Sequence, residues 1–209
     1  MYLLECKNLC KNYGEKQALK NVNLNIERGK IIGLLGKNGM GKSTLIKLIN
    51  DLLTPTSGEI RILGEKIGVK TKAMISYLPE RTYLDKNMTV DKTIKYFSKF
   101  YDNFDSKKAK KLLKDLDLDI KQKLSKMSKG MREKISLALV MSRRAELYIL
   151  DEPMGGVDPA SRGAILNFIM ENYAQKSTLL ISTHLINDLE DVFTHALFLG
   201  NGKALLNDS

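Results

Sequence analysis

Cysteine is almost missing from this chain: Cys6 and Cys10 are the only two among 209 residues. With no further Cys and no nearby His, they are too few for a metal site. A disulfide between them would be out of place in a cytosolic protein. They read as ordinary buried or half-buried residues. Long apolar runs are missing too. No stretch approaches the roughly 18 consecutive apolar residues that cross a bilayer, so the chain is not expected to span a membrane by itself. The start, MYLLECKNLC, lacks the charged-then-apolar pattern of a secretory signal, so secretion is not expected. There is no internal repeat, no low-complexity tract and no linker to a second domain. Acidic residues are the scarcer sign, 24 against 34 Lys and Arg, for a net charge of +10. A basic balance suits nucleic acid, an anionic membrane surface, a phosphate-rich ligand, or simply solvated lysines. The densest run, Lys107–Lys114, carries Leu112, Leu113 and Leu116 at helical spacing and reads as a solvated helix face. Direct nucleic-acid binding is therefore not expected.

What is present fits one globular domain. Hydrophobic residues make up 43% and charged residues 28%, which excludes disordered, collagen-like and coiled-coil chains. The opening LLECKNLCKNY and the segment NVNLNI, ahead of a turn at Glu27–Gly29, alternate as strands do. IIGLLG is a short continuous apolar run, as in a strand buried on both faces. A glycine-rich stretch follows, and then STLIKLINDLL at helical spacing. Pro55, Ser57 and Gly58 mark a turn before the strand GEIRILG. Residues 82–145 change character: they are Lys-rich, nearly free of Gly and Pro, and helical in period, as in IKYFSKFY and KKAKKLLKDLDL. Strand character returns with LYILDEP and STLLISTHL. The expected fold is α/β. It has a core in 1–81 and 146–209 and a helical insert at about 82–145 within a single domain.

The strongest chemical signal is GKNGMGKST, Gly36 to Thr44, which fits G-x-x-x-x-G-K-[ST] between a strand and a helix. Glycines let backbone N–H groups wrap a phosphate, and a helix N-terminus aims its dipole at the same anion. Lys42 is the point charge for the β- and γ-phosphates, and Ser43 offers a hydroxyl to Mg²⁺. The second signal is LYILDEP. In phosphate-loop folds a parallel strand, expected here beside the loop strand, delivers an acid to the metal shell. That assigns Asp151 to Mg²⁺ and Glu152 to polarising the attacking water. Adjacent acids after a strand are usually a solvated strand end. About 110 residues after a phosphate loop, the catalytic reading dominates. The third signal is Leu124 to Leu139, LSKMSKGMREKISLAL, with Ser128 and Gly130 opening a long amphipathic helix. By itself that reads first as a helix cap.

Taken together, these residues resemble the ATP-binding subunits of ABC transporters over nearly the whole chain. SKGMREK, with Ser128, Lys129, Gly130 and Met131, resembles the family's LSGGQ signature. Tyr13 stands where an aromatic stacks on adenine. YLPE, ending at Glu80, resembles the Q-loop, GGVD, ending at Asp158, the D-loop, and STHL, with His184, the switch-histidine loop. Singly, Tyr13 would be a packing aromatic and Asp158 before Pro159 a helix cap. His195 has no motif around it and reads as structural. There are departures. Glu80 replaces the usual Gln, Lys129 a Gly, Met131 a Gln, and Gly155 the Ser of the D-loop. YLPE, SKGMREK and GGVDP together resemble a narrower group, the Ytr-type ATPases of Gram-positive exporters from GntR-regulated operons, associated with envelope or peptide-antibiotic stress.

The resemblance implies a phosphate-loop ATPase with a mostly parallel sheet and an N-terminal antiparallel portion. ATP is held by Tyr13 and by Gly36, Lys37, Asn38, Gly39, Met40, Gly41, Lys42, Ser43 and Thr44. Mg²⁺ is arranged by Ser43, Glu80 and Asp151. Lys42, Glu152 and His184 carry the catalysis. Ser128 and Gly130 of one subunit close over ATP bound by a second, head-to-tail. The partners implied are that second ATPase subunit and a transmembrane permease docking near Glu80–Asp85. The place implied is the inner face of the cell membrane. The runner-up is a soluble ABC-type ATPase of DNA repair or translation. The roughly 105 residues between Lys42 and the Asp151 strand are too few for a long coiled coil, and the chain has one cassette, not two. A regulatory module holding ATP without turnover is a third reading, opposed by Glu152 and His184. Members usually continue past the final strand, FLGNGKALLND here, so a shortened or minimal C-terminus is expected.

Overall fold

The computed structural model describes residues 2–155, 157–174, 176–184 and 190–208. Gly156 of GGVD and Leu185 of STHL lie outside them.

The N-terminal third is antiparallel. Strands β1 (Leu4–Tyr13) and β2 (Lys16–Ile26) form a hairpin, and β4 (Ser57–Ile62) and the short β5 (Glu65–Lys66) extend it, in the order β2-β1-β4-β5. The second sheet has six strands: β3 (Ile31–Leu35), β6 (Ile75–Leu78), β7 (Leu147–Asp151), β8 (Thr178–Ser182), β9 (His195–Gly200) and β10 (Lys203–Asp208). Their order is β10-β9-β3-β8-β7-β6, all parallel except β10. Helix α1 (Lys42–Ile49) follows β3, and a six-residue helix, α2 (Val69–Met74), precedes β6. Helices α3 (Val90–Phe100), α4 (Ser106–Asp115) and α5 (Lys129–Met141) fall between β6 and β7, and α6 (Pro159–Asn172) follows β7.

Period-two alternation sorts the apolar residues into two cores. On one face Ile32, Leu34, Leu147 and Ile149 pack with Leu45 and Ile46 of α1 and with Leu4, Leu24 and Ile60 of the antiparallel sheet. On the other, Tyr148, Leu150, Leu179 and Ile181 pack with Ile94, Leu113, Ile135 and Leu139 of the helices. Cys6 is buried and Cys10 half-buried, and both are free. Burial pushes the Cys6 thiol up to about 12.

Two expectations are corrected. The acid-bearing strand β7 is not beside the loop strand: β8 pairs with β3 on one edge and with β7 on the other. The intervening strand comes later in the sequence, so chain order conceals it. The segment FLGNGKALLND is not one strand. It folds back as the hairpin β9–β10 around Asn201 (φ 50°) and Gly202 (φ 76°). An Asn-Gly pair with both residues left-handed is the favoured two-residue hairpin turn, so the signal was present.

Candidate functional site

β3 runs straight into the glycine-rich loop. Gly36 has φ 148°, and a Cβ there would stand 2.4 Å from the Leu199 carbonyl oxygen. Only glycine lets the loop pass that close. Gly41, at φ 106°, is the N-cap of α1 and has no side chain to cap with. The first-turn N–H groups of α1 are thereby left for an anion. Lys42 is buried and its Nζ donates to the Gly36 carbonyl at 2.5 Å.

A cleft of about 1150 Å³ opens at this loop. Lys37, Asn38, Gly39, Gly41, Lys42, Ser43 and Thr44 line it, and so do Tyr13, Glu80, Asp151, Glu152 and His184. Tyr13 is 47% exposed, with Lys11 Nζ 5.4 Å from its ring centroid. Gly36 and Met40 are not in the lining. Gly36 lies against Leu199, and Met40 Sδ accepts from the Asn201 N–H.

Asp151 closes β7 and is buried. Its Oδ1 accepts from Ser182 Oγ at 2.5 Å. Burial raises its carboxyl pKa above the usual range and Glu80 adds to this, against the Ser182 bond and the charges of Lys42 and Lys47. Glu152 is left-handed, φ 52°, and its N–H reaches both Ser182 Oγ (3.0 Å) and the Ser182 carbonyl (3.1 Å). Its Oε2 is 2.9 Å from His184 Nδ1. Among the described residues, no three His, Cys, Asp or Glu side chains converge enough to hold a metal by themselves. The donors that face the cleft, Ser43, Glu80 and Asp151, are all hard oxygen ligands. They fit Mg²⁺, which takes one or two carboxylates and completes its shell from phosphates and water.

Ser128 is indeed a cap: its Oγ accepts from the Met131 N–H at 3.1 Å at the start of α5. Ser128, Gly130 and Met131 do not reach the loop's cleft. They line an adjoining cavity of about 330 Å³ with Pro153 and Asp158, and Glu80, Asp151 and Glu152 line both. Lys129 does line the first cleft, and its Nζ is 3.5 Å from Glu133. Asp158 caps α6, accepting from the Ser161 N–H at 3.1 Å, with Pro159 first in the helix. His195 bonds Thr194 Oγ1 at 3.0 Å on β9. Sequence reasoning missed Ser182 and the cleft-lining cations Arg81, Lys86 and Arg132. Ser182 had a signal, since it stands two residues before His184 in the STHL segment. The cations belong to no motif.

A strand, a glycine-rich loop, a helix N-terminus and a parallel strand of the same sheet ending at Asp-Glu define a phosphate-loop nucleoside triphosphatase. A profile of the ABC transporter family matches residues 19–155. The ABC transporter ATP-binding protein YtrB of Bacillus subtilis is 32% identical over 94% of this chain and 68% of its own length. The lantibiotic transport ATP-binding protein SrtF of Streptococcus pyogenes is 31% identical over 98% of this chain and 90% of its own. A solved ATP-binding subunit of an ABC transporter superposes with a TM-score of 0.89 at 29% identity, covering 99% of this chain and 90% of that one. The chain belongs to the ABC transporter ATP-binding family, whose members hydrolyse ATP to power transport.

Proposed function

We propose that this chain powers an exporter tied to envelope or antibiotic-peptide stress. In this reading it works as a head-to-tail pair of ATPase subunits beneath a transmembrane permease, on the cytoplasmic face of the membrane. The whole chain acts as one ATPase domain, with 82–145 its helical part. One observation carries the reading: Lys37–Gly39, Gly41–Thr44 and His184 line the loop's cleft, whereas Ser128 and Gly130 line only an adjoining cavity that shares Glu80, Asp151 and Glu152 with it. Ser128 and Gly130 thus do not line the loop's cleft within their own chain, which supports a site shared between two copies. The peptide cargo is supported by the lantibiotic transport relative, and no helix among the described residues is long and apolar enough to cross a membrane.

Tyr13 stacks on the adenine ring. The loop N–H groups, the α1 N-terminus and Lys42 hold the phosphates. Ser43, Glu80 and Asp151 would hold Mg²⁺, which when bound would supply positive charge to the phosphoryl oxygens. Glu152 orients or deprotonates the water that attacks the γ-phosphorus as the bond to the ADP oxygen breaks. His184, already paired with Glu152, bonds the γ-phosphate and senses its loss. Ser128 and Gly130 of one subunit bring a hydroxyl and the α5 N-terminus to the phosphate bound by the other. Tyr83, 56% exposed beside Glu80, offers the surface near Glu80–Asp85 on which the permease docks.

The test is size exclusion with light scattering on Glu152→Gln, with and without Mg²⁺-ATP. A shift from monomer to dimer with ATP is expected. A monomer that still binds ATP under both conditions would sink the shared site for this chain alone.

A further inference from the structure

Asp151 on β7 is paired in register with Ser182 on β8. Ser182 is fully buried, and its hydroxyl is used twice. Its proton goes to Asp151 Oδ1 at 2.5 Å, and its lone pair accepts the Glu152 N–H at 3.0 Å. A serine hydroxyl has one proton to give and lone pairs to receive, so both bonds form at once. The Ser182 carbonyl shares the same N–H at 3.1 Å. Two residues past the end of β8, His184 Nδ1 meets Glu152 Oε2 at 2.9 Å. The end of β8, the strand that separates β7 from the loop strand, and the residues just after it therefore hold the Asp-Glu pair at three atoms.

We propose that Ser182 is a positioning residue for ATP hydrolysis. Its hydroxyl sets the direction of the Asp151 carboxylate and holds Glu152 in its left-handed backbone, so that both acids are aimed into the cleft together. The proposal rests on the roles of Asp151 and Glu152 given above. A side chain with a Cβ disfavours φ 52°, and such strain persists only where neighbours enforce it. The shared N–H bond to Ser182 is that enforcement. One Asp151 oxygen is engaged by Ser182, and the residue still lines the cleft. An acid tethered by one oxygen loses rotamer freedom before any ligand arrives, which is how supporting hydrogen bonds tune metal-directed carboxylates.

A serine that only satisfies the strand end would affect stability and nothing else. Ser182→Ala, Ser182→Thr and Ser182→Cys separate the two readings, on the full chain, with Glu152→Gln in parallel. Three quantities are read: the unfolding midpoint, kcat and KM for Mg²⁺-ATP, and the gain in affinity for a fluorescent ATP analogue on adding Mg²⁺. Ser182→Ala is expected to bind the analogue without metal within about twofold of wild type. It is expected to lose roughly tenfold or more in kcat with little change in KM, the signature of an interaction aimed at the transition state. Most of the Mg²⁺-dependent gain in affinity should go as well. Ser182→Thr restores the hydroxyl on a strand-compatible side chain and should recover turnover, and Ser182→Cys, a weak donor of similar size, should fall between. Wild-type kcat and Mg²⁺ gain in Ser182→Ala, with Glu152→Gln inactive, would overturn this proposal alone. So would losses that merely track the unfolding midpoint and that Ser182→Thr does not restore. Wild-type turnover in Glu152→Gln would overturn the assignment of the acids and this proposal with it.

Discussion

A buried ammonium needs something to answer its charge, and Lys42 finds a carbonyl. Its Nζ rests on the Gly36 oxygen, inside the loop that carries it. Carbonyl oxygens are weaker partners for a cation than phosphate oxygens, so the loop holds Lys42 in reserve for a stronger anion. Lys42→Ala is accordingly expected to weaken ATP binding by at least tenfold, on the order of 1.4 kcal/mol or more, while the unfolding midpoint changes little. Titration with a fluorescent ATP analogue checks this, and unchanged affinity would remove Lys42 from the site. The other charged residues follow the same local logic. Glu152 takes a strained backbone in exchange for its contacts to Ser182 and His184. Glu80 brings a second negative charge that pushes the Asp151 carboxyl up.

Helix α5 borders the same cleft through Lys129, Arg132 and Glu133. Its N-terminus carries Ser128, and its far end runs into Arg143, which is buried and bonded to carbonyl oxygens rather than to a carboxylate. Arg143 donates to the carbonyls of Ile75 (2.5 Å) and Ala73 (3.1 Å) and to Asn103 Oδ1 (3.1 Å), and it stacks 3.8 Å from the Tyr101 ring centroid. Ser76 Oγ reaches the Val140 carbonyl at 2.8 Å, and Thr82 and Ser136 hydroxyls meet at 2.9 Å. α5 is therefore tied along its length to β6 and to the segment just after Glu80. Arg143→Met keeps the bulk but orphans several buried acceptors, each worth roughly 1–3 kcal/mol. A loss of about 3 kcal/mol or more in urea unfolding is expected. A variant as stable as wild type would mean that water or neighbouring groups replace the guanidinium.

For the molecule as a whole, the decisive geometry is which signature residues reach the loop's cleft. Lys129 lines it, but Ser128 and Gly130 line only the adjoining cavity, which shares Glu80, Asp151 and Glu152 with it. A net charge of +10 works against two copies meeting, so in the proposed pairing it is phosphate charge shared between two basic faces that would draw them together. Ser128→Arg places a bulky cation at the signature position without touching the loop. It should leave ATP binding to the single chain intact and abolish ATP-driven dimer formation in the Glu152→Gln background, as read by light scattering. Dimers that still form would place the signature somewhere other than the interface.

The phosphate loop, the Asp-Glu strand end, the capped signature helix and the strand-helix-strand character were legible in the sequence, because each depends on residues within a few positions of one another. Gly36, Gly41 and Lys42 are dictated by a local turn, and the continuous apolar runs of β3 and β7 by burial on both faces. What the tertiary structure alone decided is which segments lie side by side. β8, more than 25 residues after β7, inserts between it and β3, and through that insertion Ser182 reaches Asp151 and Glu152. Arg143 finds the carbonyls of a strand almost 70 residues earlier. Pairings across such distances leave no periodicity in the chain. They are set by how the two cores bury their apolar faces together.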